Sequence, residues 1–349
     1  MLKALNAPRR GVLYAVIHFA VEAICFTRLY SAFDTGEYWW LTALAYDALA
    51  FVPQSFFGIL TDRYPKIKAA PSGFFLMALS LFPVGRICGM LLLGLGNALV
   101  HIAGAEATLR GANGKCAPAG IFVGGGSFGV ITGQLIGKSG GMKTLLLPAV
   151  LCAAGFILTA IMPTYCELKS GGFNEASGRL SPPLITALMF VTVAARSYVG
   201  YAIPTAWNKT AWQTVMLFVC MGIGKILGGI AADKFGSKTA GTASLILSLP
   251  FLLCGNRLMA VSLIGVLFFS MTMAISLGVL ASVFNDQPGF AFGITTVGLF
   301  AGSLPAFFIK PASMTAHIIT VSVLTIAAAA CFWLCADNKN EKARKNKCK

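Results

Sequence analysis

The sequence predicts an all-α protein that crosses a membrane twelve times, in two pseudo-symmetric bundles of six helices. Of its 349 residues, 57% are hydrophobic and only 11% are charged, whereas a soluble domain carries about a quarter charged residues. Apolar segments long enough to span a bilayer recur along the chain. A short motif also occurs twice, about half a chain apart. The composition therefore predicts a membrane protein, and the repeat predicts two copies of one structural unit.

The repeated motif is a glycine, an aspartate four residues later and a basic residue directly after it. The two copies consist of Gly58, Asp62 and Arg63, and of Gly229, Asp233 and Lys234. The offset between the two aspartates, 233 − 62 = 171, is about half the length of the chain. Each copy closes a long apolar segment, so the copies are predicted to end helices two and eight. This equivalence indicates an internal duplication.

Twelve segments are candidates for a span, which needs about 20 mainly apolar residues. They are 11–33, 38–60, 70–85, 87–108, 116–137, 143–163, 183–203, 211–233, 238–255, 257–283, 287–309 and 314–336. The longest interior link is rich in Gly, Ser and Glu and separates the first six segments from the last six. The predicted organisation is an N-terminal bundle at 1–163, a cytoplasmic linker at 164–182, a C-terminal bundle at 183–336 and a basic cytoplasmic tail at 337–349.

The positions of Lys and Arg predict the orientation, because cytoplasmic loops carry an excess of both. With both termini inside, the predicted inner loops and ends hold 18 of the 27 Lys and Arg residues, the outer loops hold 6 and the helices hold 3. The net charge of +15 therefore indicates membrane orientation rather than nucleic-acid binding. We expect a multi-pass protein of the plasma (inner) membrane of a prokaryote, a monomer within the lipid bilayer, with both termini cytoplasmic.

No pattern in the sequence predicts a cofactor, a metal site or a catalytic centre. The ten cysteines form no Cys-x-x-Cys pair and mostly lie in or beside apolar segments. The run Gly124–Gly129 matches a dinucleotide fingerprint, but no strand precedes it. Glycines at every fourth position from Gly125 to Gly137 instead favour close helix packing. His101 and Glu106 do not form a His-Glu-x-x-His motif. We therefore expect that the protein is not an enzyme.

The duplicated loop resembles the signature loop of the major facilitator superfamily, and the resemblance covers the whole chain. Similarity to the fosmidomycin-resistance-like group within it is carried by four segments: Tyr46–Gln54, Gly94–His101, Gly124–Gly129 and Arg196–Gly200. One departure is Pro65, where the family usually has Gly. Another is the absence of the arginine that many drug antiporters carry early in helix four. The resemblance implies the major facilitator fold and alternating access, in which two bundles move around a site near the midplane.

In that setting the two motif loops are predicted to act as a conformational latch. Asp62 and Asp233 can accept hydrogen bonds from the N-terminus of a neighbouring helix or from an arginine, which would favour one closed state. The alternative is that the nearby cations only set membrane topology, a role that does not need the aspartates.

Ionisable residues inside predicted helices are functional candidates, because a charge within a membrane costs a few kcal/mol or more. Arg28 and Tyr30 in helix one match Arg196 and Tyr198 in helix seven, at an offset of 196 − 28 = 168. Two symmetric arginines could bind a carboxylate or phosphate across a central cavity. This arrangement resembles the arginine pair of organic-phosphate exchangers in the superfamily. Alternatively, each arginine is paired with a carboxylate or lies near the outer surface.

Three further residues are candidates for the substrate site. Lys225 and Gln54 occupy equivalent positions, each eight residues before the aspartate of its motif. Lys225 could join an anion site or balance Asp47. His101 could belong to the substrate site, or its role could be limited to helix packing.

The candidates for proton coupling are Glu22, Asp47 and His18. His18 and Glu22 stand four residues apart and therefore share one face of a helix. Imidazoles and carboxylates can both carry protons, and coupling requires a group that faces water alternately on each side. A structural hydrogen bond or ion pair is the alternative role for these residues.

Together these features predict a secondary active transporter for a small organic solute or drug, with an anionic solute favoured by the arginines. Its expected partners are that solute and either protons or a counter-anion, and proton-coupled efflux (antiport) is favoured by the resemblance. Two alternatives stay open. One is an uptake or exchange carrier for a sugar, organic phosphate or carboxylate. The other is a membrane-embedded sensor or enzyme, for which the sequence offers no output domain and no catalytic constellation.

Overall fold

The computed structural model describes residues 6–34, 36–164, 168, 172–203, 205–309, 311 and 313–337. Within these ranges the regular structure is helical, apart from one isolated β-bridge between Ala176 and Ala336. This confirms the all-α prediction. The basic tail predicted at 337–349 lies outside the described residues, except for Asp337.

Fourteen α-helices follow one another in the described chain. They are α1 Ala7–Arg28, α2 Trp39–Phe51, α3 Pro53–Arg63, α4 Ala69–Leu79, α5 Arg86–Leu109, α6 Ala117–Ser139, α7 Lys143–Ile161, α8 Pro182–Ala202, α9 Ala211–Phe235, α10 Ser237–Cys254, α11 Met259–Ser270, α12 Thr272–Val283, α13 Pro288–Ala306 and α14 Met314–Cys335. A π-helical turn, Leu29–Phe33, extends α1, and a 3-10 turn, Gly36–Tyr38, precedes α2.

Eleven helical segments of the described chain are long and apolar enough to cross a membrane. Two of them are interrupted, because α2 and α3 form one span and α11 and α12 form another. The predicted span that is not among these eleven is the third, for which the sequence predicted a helix over 70–85. Helix α4 at this place has only 11 residues and rises about 16 Å. Pro83 contributes to this early end, because it lacks an N–H and restricts the backbone before it. The chain is a multi-pass membrane protein, and twelve helices in two bundles are consistent with this arrangement.

Helices α1 and α6 pack closely along the glycine stripe that the sequence indicated. A Cβ at Gly133 would lie 2.7 Å from the carbonyl oxygen of Ala23, and a Cβ at Gly129 would overlap the carbonyl of Phe19. Backbones this close leave no room for a side chain, so the packing role of the stripe is confirmed. The polar residues of α1 are thereby fixed against α6.

The segment before α8 is anchored to the end of α14. The Ser177 N–H donates to the Cys335 carbonyl at 2.7 Å, and the Asp337 N–H donates to the Glu175 carbonyl at 2.8 Å. These bonds hold the described part of the linker against the C-terminal end of the last helix. The boundaries 1–163, 164–182, 183–336 and 337–349 stay predictions.

We call α1–α7 the first half and α8–α14 the second half. The two halves meet mainly along two helix pairs, α6 with α9 and α3 with α13. Helices α3 and α9 are the two that end in the repeated motif, so the duplication lies at the contact between the halves.

Candidate functional site

The first copy of the motif lies where α3 meets the N-terminus of α13. Gly58 and Asp62 are one helical turn apart and share a face of α3. A Cβ at Gly58 would overlap the carbonyl of Gly289, so the approach requires a glycine. Because α3 and α13 approach so closely here, the Asp62 carboxylate accepts hydrogen bonds from the N–H groups of Gly289 (3.1 Å) and Phe290 (2.8 Å). These donors belong to the first helical turn, which lacks intrahelical acceptors.

The second copy makes the same arrangement with the halves exchanged. A Cβ at Gly229 would lie 2.7 Å from the carbonyl oxygen of Cys116. The Asp233 carboxylate accepts the N–H of Cys116 at 2.6 Å and that of Ala117 at 3.1 Å, at the start of α6. Each half therefore caps a helix of the other half. We call this region, defined by Asp62, Asp233 and the first turns of α6 and α13, the capped end.

The basic residues of the motif take no part in these contacts. Arg63 and Lys234 are exposed, and each lies beside the aromatic ring of the next residue. The cation near a motif aspartate is instead Arg110 at the end of α5, whose Nη2 lies 3.4 Å from the Asp62 carboxylate. The sequence allowed an arginine as a partner of the motif aspartates but could not identify Arg110, because the pairing depends on how α5 packs beside α3.

Two cations in the interior of α8 and α9 have no carboxylate partner among the described ion pairs. Arg196 is 8% exposed, its Nη2 lies 2.9 Å from the sulfur of Met273, and its Nε has no hydrogen-bond partner. The half-buried Lys225 donates from Nζ to the Ser127 hydroxyl of α6 at 2.8 Å. An anion between or beside them would offset the cost of burying both charges.

Arg28 and Arg196 stand at similar distances from the ends of their helical segments. The π-helical turn that extends α1 ends at Phe33, 33 − 28 = 5 residues beyond Arg28. Helix α8 ends at Ala202, 202 − 196 = 6 residues beyond Arg196. Arg28 is half-buried and its Nη2 lies 3.4 Å from the Ser80 carbonyl. The described contacts do not bring the two arginines together, and a shared cavity stays a prediction.

Three further substrate-site candidates, Tyr30, Tyr198 and Gln54, each have a described contact. The ring of Tyr30, which follows α1, packs against Trp39, with centroids 4.5 Å apart. The Tyr198 hydroxyl donates to the Ile309 carbonyl at 3.2 Å. Gln54 is buried and donates to the carbonyl one turn earlier at 2.7 Å, and its Oε1 has no hydrogen-bond partner. Gln54 thus keeps an unsatisfied acceptor near the contact between α3 and α13.

His18 and Glu22 on α1 meet His101 on α5 in a buried group that we call the His–Glu cluster. The Nε2 atoms of the two imidazoles are 2.8 Å apart, and Oε1 of Glu22 lies 3.5 Å from Nε2 of His18 and 3.2 Å from Nε2 of His101. The rings of Phe122 and Phe292 pack against the cluster. Three donor atoms this close could hold a metal ion.

Asp47 lies on α2 beside a buried polar pair. The Asn97 amide donates to the Tyr46 hydroxyl at 2.9 Å. Asp47 itself is half-buried. It lies on α2, which contacts α13 of the second half, so this carboxylate is near the contact between the halves. Asn97 was not singled out from the sequence, where it reads as one polar residue in an apolar helix.

Two cavities lie away from these residues. One of about 750 Å³ is lined mainly by apolar side chains of α3, α8, α12 and α13. A smaller one of about 50 Å³ lies in the first half, beside Glu106 and Arg110. Arg196, Lys225 and the His–Glu cluster line neither of these two cavities.

No model of a known protein family matches the chain. A sequence relative is the uncharacterized MFS-type transporter YfnC of Bacillus subtilis (strain 168), which is 25% identical over 86% of this chain and 84% of its own length. A similar solved structure is that of a single-site variant of the fucose:proton symporter FucP of E. coli, with a TM-score of 0.66 and 13% identity over 94% of this chain and 99% of that one. The structure of FucP in the outward conformation gives a TM-score of 0.58 and 14% identity over 92% of this chain and 98% of that one.

The structural likeness shows that the fold is the one seen in FucP, a major facilitator superfamily transporter. The sequence relative carries the same family name, so both findings support the MFS-type transporter family that the motif predicted. Neither bears on the fosmidomycin-resistance-like group, which stays a prediction.

Proposed function

We propose that this protein is a secondary active transporter that moves a small organic anion across the plasma membrane by alternating access, coupled to protons. The observation that carries the substrate class is the pair of interior cations, Arg196 and Lys225. The observation that supports alternating access is the symmetric capping at one end. Efflux is preferred because of the subgroup resemblance, and both termini are placed in the cytoplasm by the distribution of Lys and Arg.

The anion is inferred from unbalanced positive charge. Arg196 meets a thioether sulfur and has no hydrogen-bond partner at Nε, and Lys225 meets one hydroxyl. Burying cations without paired carboxylates is unfavourable, and a carboxylate or phosphate would supply both the charge and acceptors for the guanidinium. Glu22 is near His18 and His101 and forms no described ion pair with Lys225. The candidates to complete this site remain Arg28, Tyr30, Tyr198 and Gln54, whereas His101 belongs to the His–Glu cluster.

The capped end supplies the two-state element that alternating access needs. Asp62 and Asp233 each hold a helix N-terminus of the opposite half, and a negative charge there is favoured by the helix dipole. Separation of the halves at this end would break both pairs of hydrogen bonds together. We assign the motif residues, including Gly58 and Gly229 for close approach, to a latch that favours the state closed at this end. Arg63 and Lys234 would contribute to topology, since neither contacts an aspartate.

Proton coupling is assigned to Asp47. It is half-buried, near the contact between the halves and without a cation partner among the described ion pairs, so it can exchange a proton as access changes. Glu22 and His18, the other sequence candidates, belong to the His–Glu cluster. The fold shared with a fucose:proton symporter supports protons as the coupling ion. A counter-anion is the alternative.

The test is ligand-induced stabilisation of the purified protein against a panel of organic anions, sugars and cationic drugs. A ligand of the folded state adds about 2.7 kcal/mol at a hundred times its Kd. We expect stabilisation by an organic anion, lost in Arg196→Gln and in Lys225→Gln and kept in Arg257→Gln, which removes an exposed cation. Stabilisation by a neutral sugar that survives Arg196→Gln would overturn the substrate class and favour a sugar carrier.

A further inference from the structure

The His–Glu cluster has an arrangement of lone pairs that requires a positively charged partner. The Nδ1 atom of His18 lies 2.9 Å from the Phe122 carbonyl, and Nδ1 of His101 lies 3.0 Å from the Asn97 carbonyl. A carbonyl oxygen only accepts, so each Nδ1 must carry the ring proton. In the neutral imidazoles each Nε2 then presents a lone pair. The two lone pairs are 2.8 Å apart with the Glu22 carboxylate beside them, and they repel unless an acid lies between them.

The separations of the three donor atoms suit a tetrahedral metal ion. Separations of 2.8, 3.2 and 3.5 Å put the atoms on a circle of radius about 1.85 Å. Zinc forms bonds of about 2.05 Å to imidazole nitrogen and carboxylate oxygen. An ion bonded to all three atoms would stand about 0.9 Å above their plane, since √(2.05² − 1.85²) is about 0.9 Å. In an ideal tetrahedral site this height is one third of the bond length, about 0.7 Å.

The surroundings of the cluster also match those of metal ligands. Ligating histidines usually donate their second ring N–H to a backbone carbonyl or carboxylate, which fixes the tautomer and the ring orientation. Both histidines do so here. All three side chains are at most 8% exposed, so competing water is largely excluded. Two imidazoles and one carboxylate are a ligand set that zinc accepts, with a fourth position left for water or another donor.

We propose that His18, Glu22 and His101 bind one divalent transition-metal ion of the zinc class. All three ligands come from α1 and α5 of the first half, whereas the interior cations belong to the second half. The metal site is therefore separate from the proposed anion site and can be tested without any transported solute.

The experiment uses the full chain, purified, freed of metal with a chelator and alkylated at accessible thiols, because exposed cysteines also bind zinc. Zn²⁺ is titrated in competition with a chromophoric chelator, and Co²⁺ serves as a spectroscopic probe of tetrahedral geometry. We expect one site per chain, with affinity lowered more than about a hundredfold in His18→Gln, His101→Gln and Glu22→Gln, since each removes a ligand. The matched control is His317→Gln, because His317 is the remaining histidine of the chain.

A second measurement on the unsubstituted protein guards against variants that fail to fold. X-ray absorption at the zinc edge should give N/O ligands that include two imidazoles, and Zn²⁺ should raise the thermal midpoint in a way that a chelator reverses. Three results would overturn the proposal: no saturable site, a site that survives loss of His18 and His101, or sulfur ligands at the metal. The first of these would indicate that a proton shared between the two Nε2 atoms is the acid in the cluster.

Discussion

Replacing Asp233 by asparagine should open the capped end. The carboxylate accepts two N–H groups from the first turn of α6, from Cys116 at 2.6 Å and from Ala117 at 3.1 Å. Asparagine keeps one acceptor oxygen and turns an NH₂ group toward the other N–H. The variant therefore loses one charge-assisted hydrogen bond and the negative charge at the helix N-terminus, while the shape of the side chain is retained.

The size of the effect follows from these two losses. A hydrogen bond to a charged group contributes about 1.5–3 kcal/mol, and a negative charge at a helix N-terminus adds about 0.3–1 kcal/mol. The closed state should lose about 2–4 kcal/mol relative to the open state. At about 1.4 kcal/mol for each factor of ten, the open population should rise roughly 30- to 700-fold.

Cys116 provides the assay, because it lies at the capped end and is only 1% exposed. A water-soluble maleimide should modify it in proportion to the population of the open state, and mass spectrometry resolves each cysteine. Cys25 and Cys152 are also buried but lie away from the capped end, so they serve as internal references. Faster modification of Cys116 with unchanged modification of the references is the expected result.

The control is Asp286→Asn, which removes an exposed aspartate from the loop before α13 and should leave the rate at Cys116 unchanged. A rate at Cys116 that changes less than threefold in folded Asp233→Asn would refute the latch. Asp62→Asn gives an independent repeat through the other helix pair.

Two further predictions concern other parts of the mechanism. Gly58→Ala should also speed the modification of Cys116, because the added Cβ would overlap the Gly289 carbonyl. The control is Gly200→Ala, where a Cβ meets nothing within 4 Å, and it should leave the rate at Cys116 unchanged. Equal rates in both variants would argue against close approach as the reason for the glycine. Asp47→Asn should still bind the solute but should abolish the pH change that accompanies transport into proteoliposomes; a normal pH change would remove Asp47 from proton coupling.

The capped end could be predicted from the sequence because its geometry is mostly local. A glycine and an aspartate four residues apart share one helix face wherever the helix lies. A carboxylate can accept hydrogen bonds from the N–H groups of a helix N-terminus, which lack intrahelical acceptors. The sequence therefore indicated a helix N-terminus or an arginine as the partner of Asp62 and Asp233. It could not say which helix, because α13 and α6 lie far from these aspartates in the chain and are joined to them only by the fold.

Sites built across helices were harder to predict. The motif spacing aligned Arg28 with Arg196. It could not say whether the two side chains share a cavity, because that depends on how α1 and α8 pack. Their described contacts are with different partners, Ser80 and Met273. His101 entered as a substrate candidate and is found beside His18, since only the packing of α1 against α5 joins them.

Solute flux into proteoliposomes, with an organic anion found by the stabilisation panel and an imposed pH gradient, shows whether Arg196 serves proton-coupled transport of an anion. The flux should depend on the gradient, be lost in Arg196→Gln and persist in Arg257→Gln. Equal flux of the anion in Arg196→Gln and in the unsubstituted protein would exclude Arg196 from the transport site.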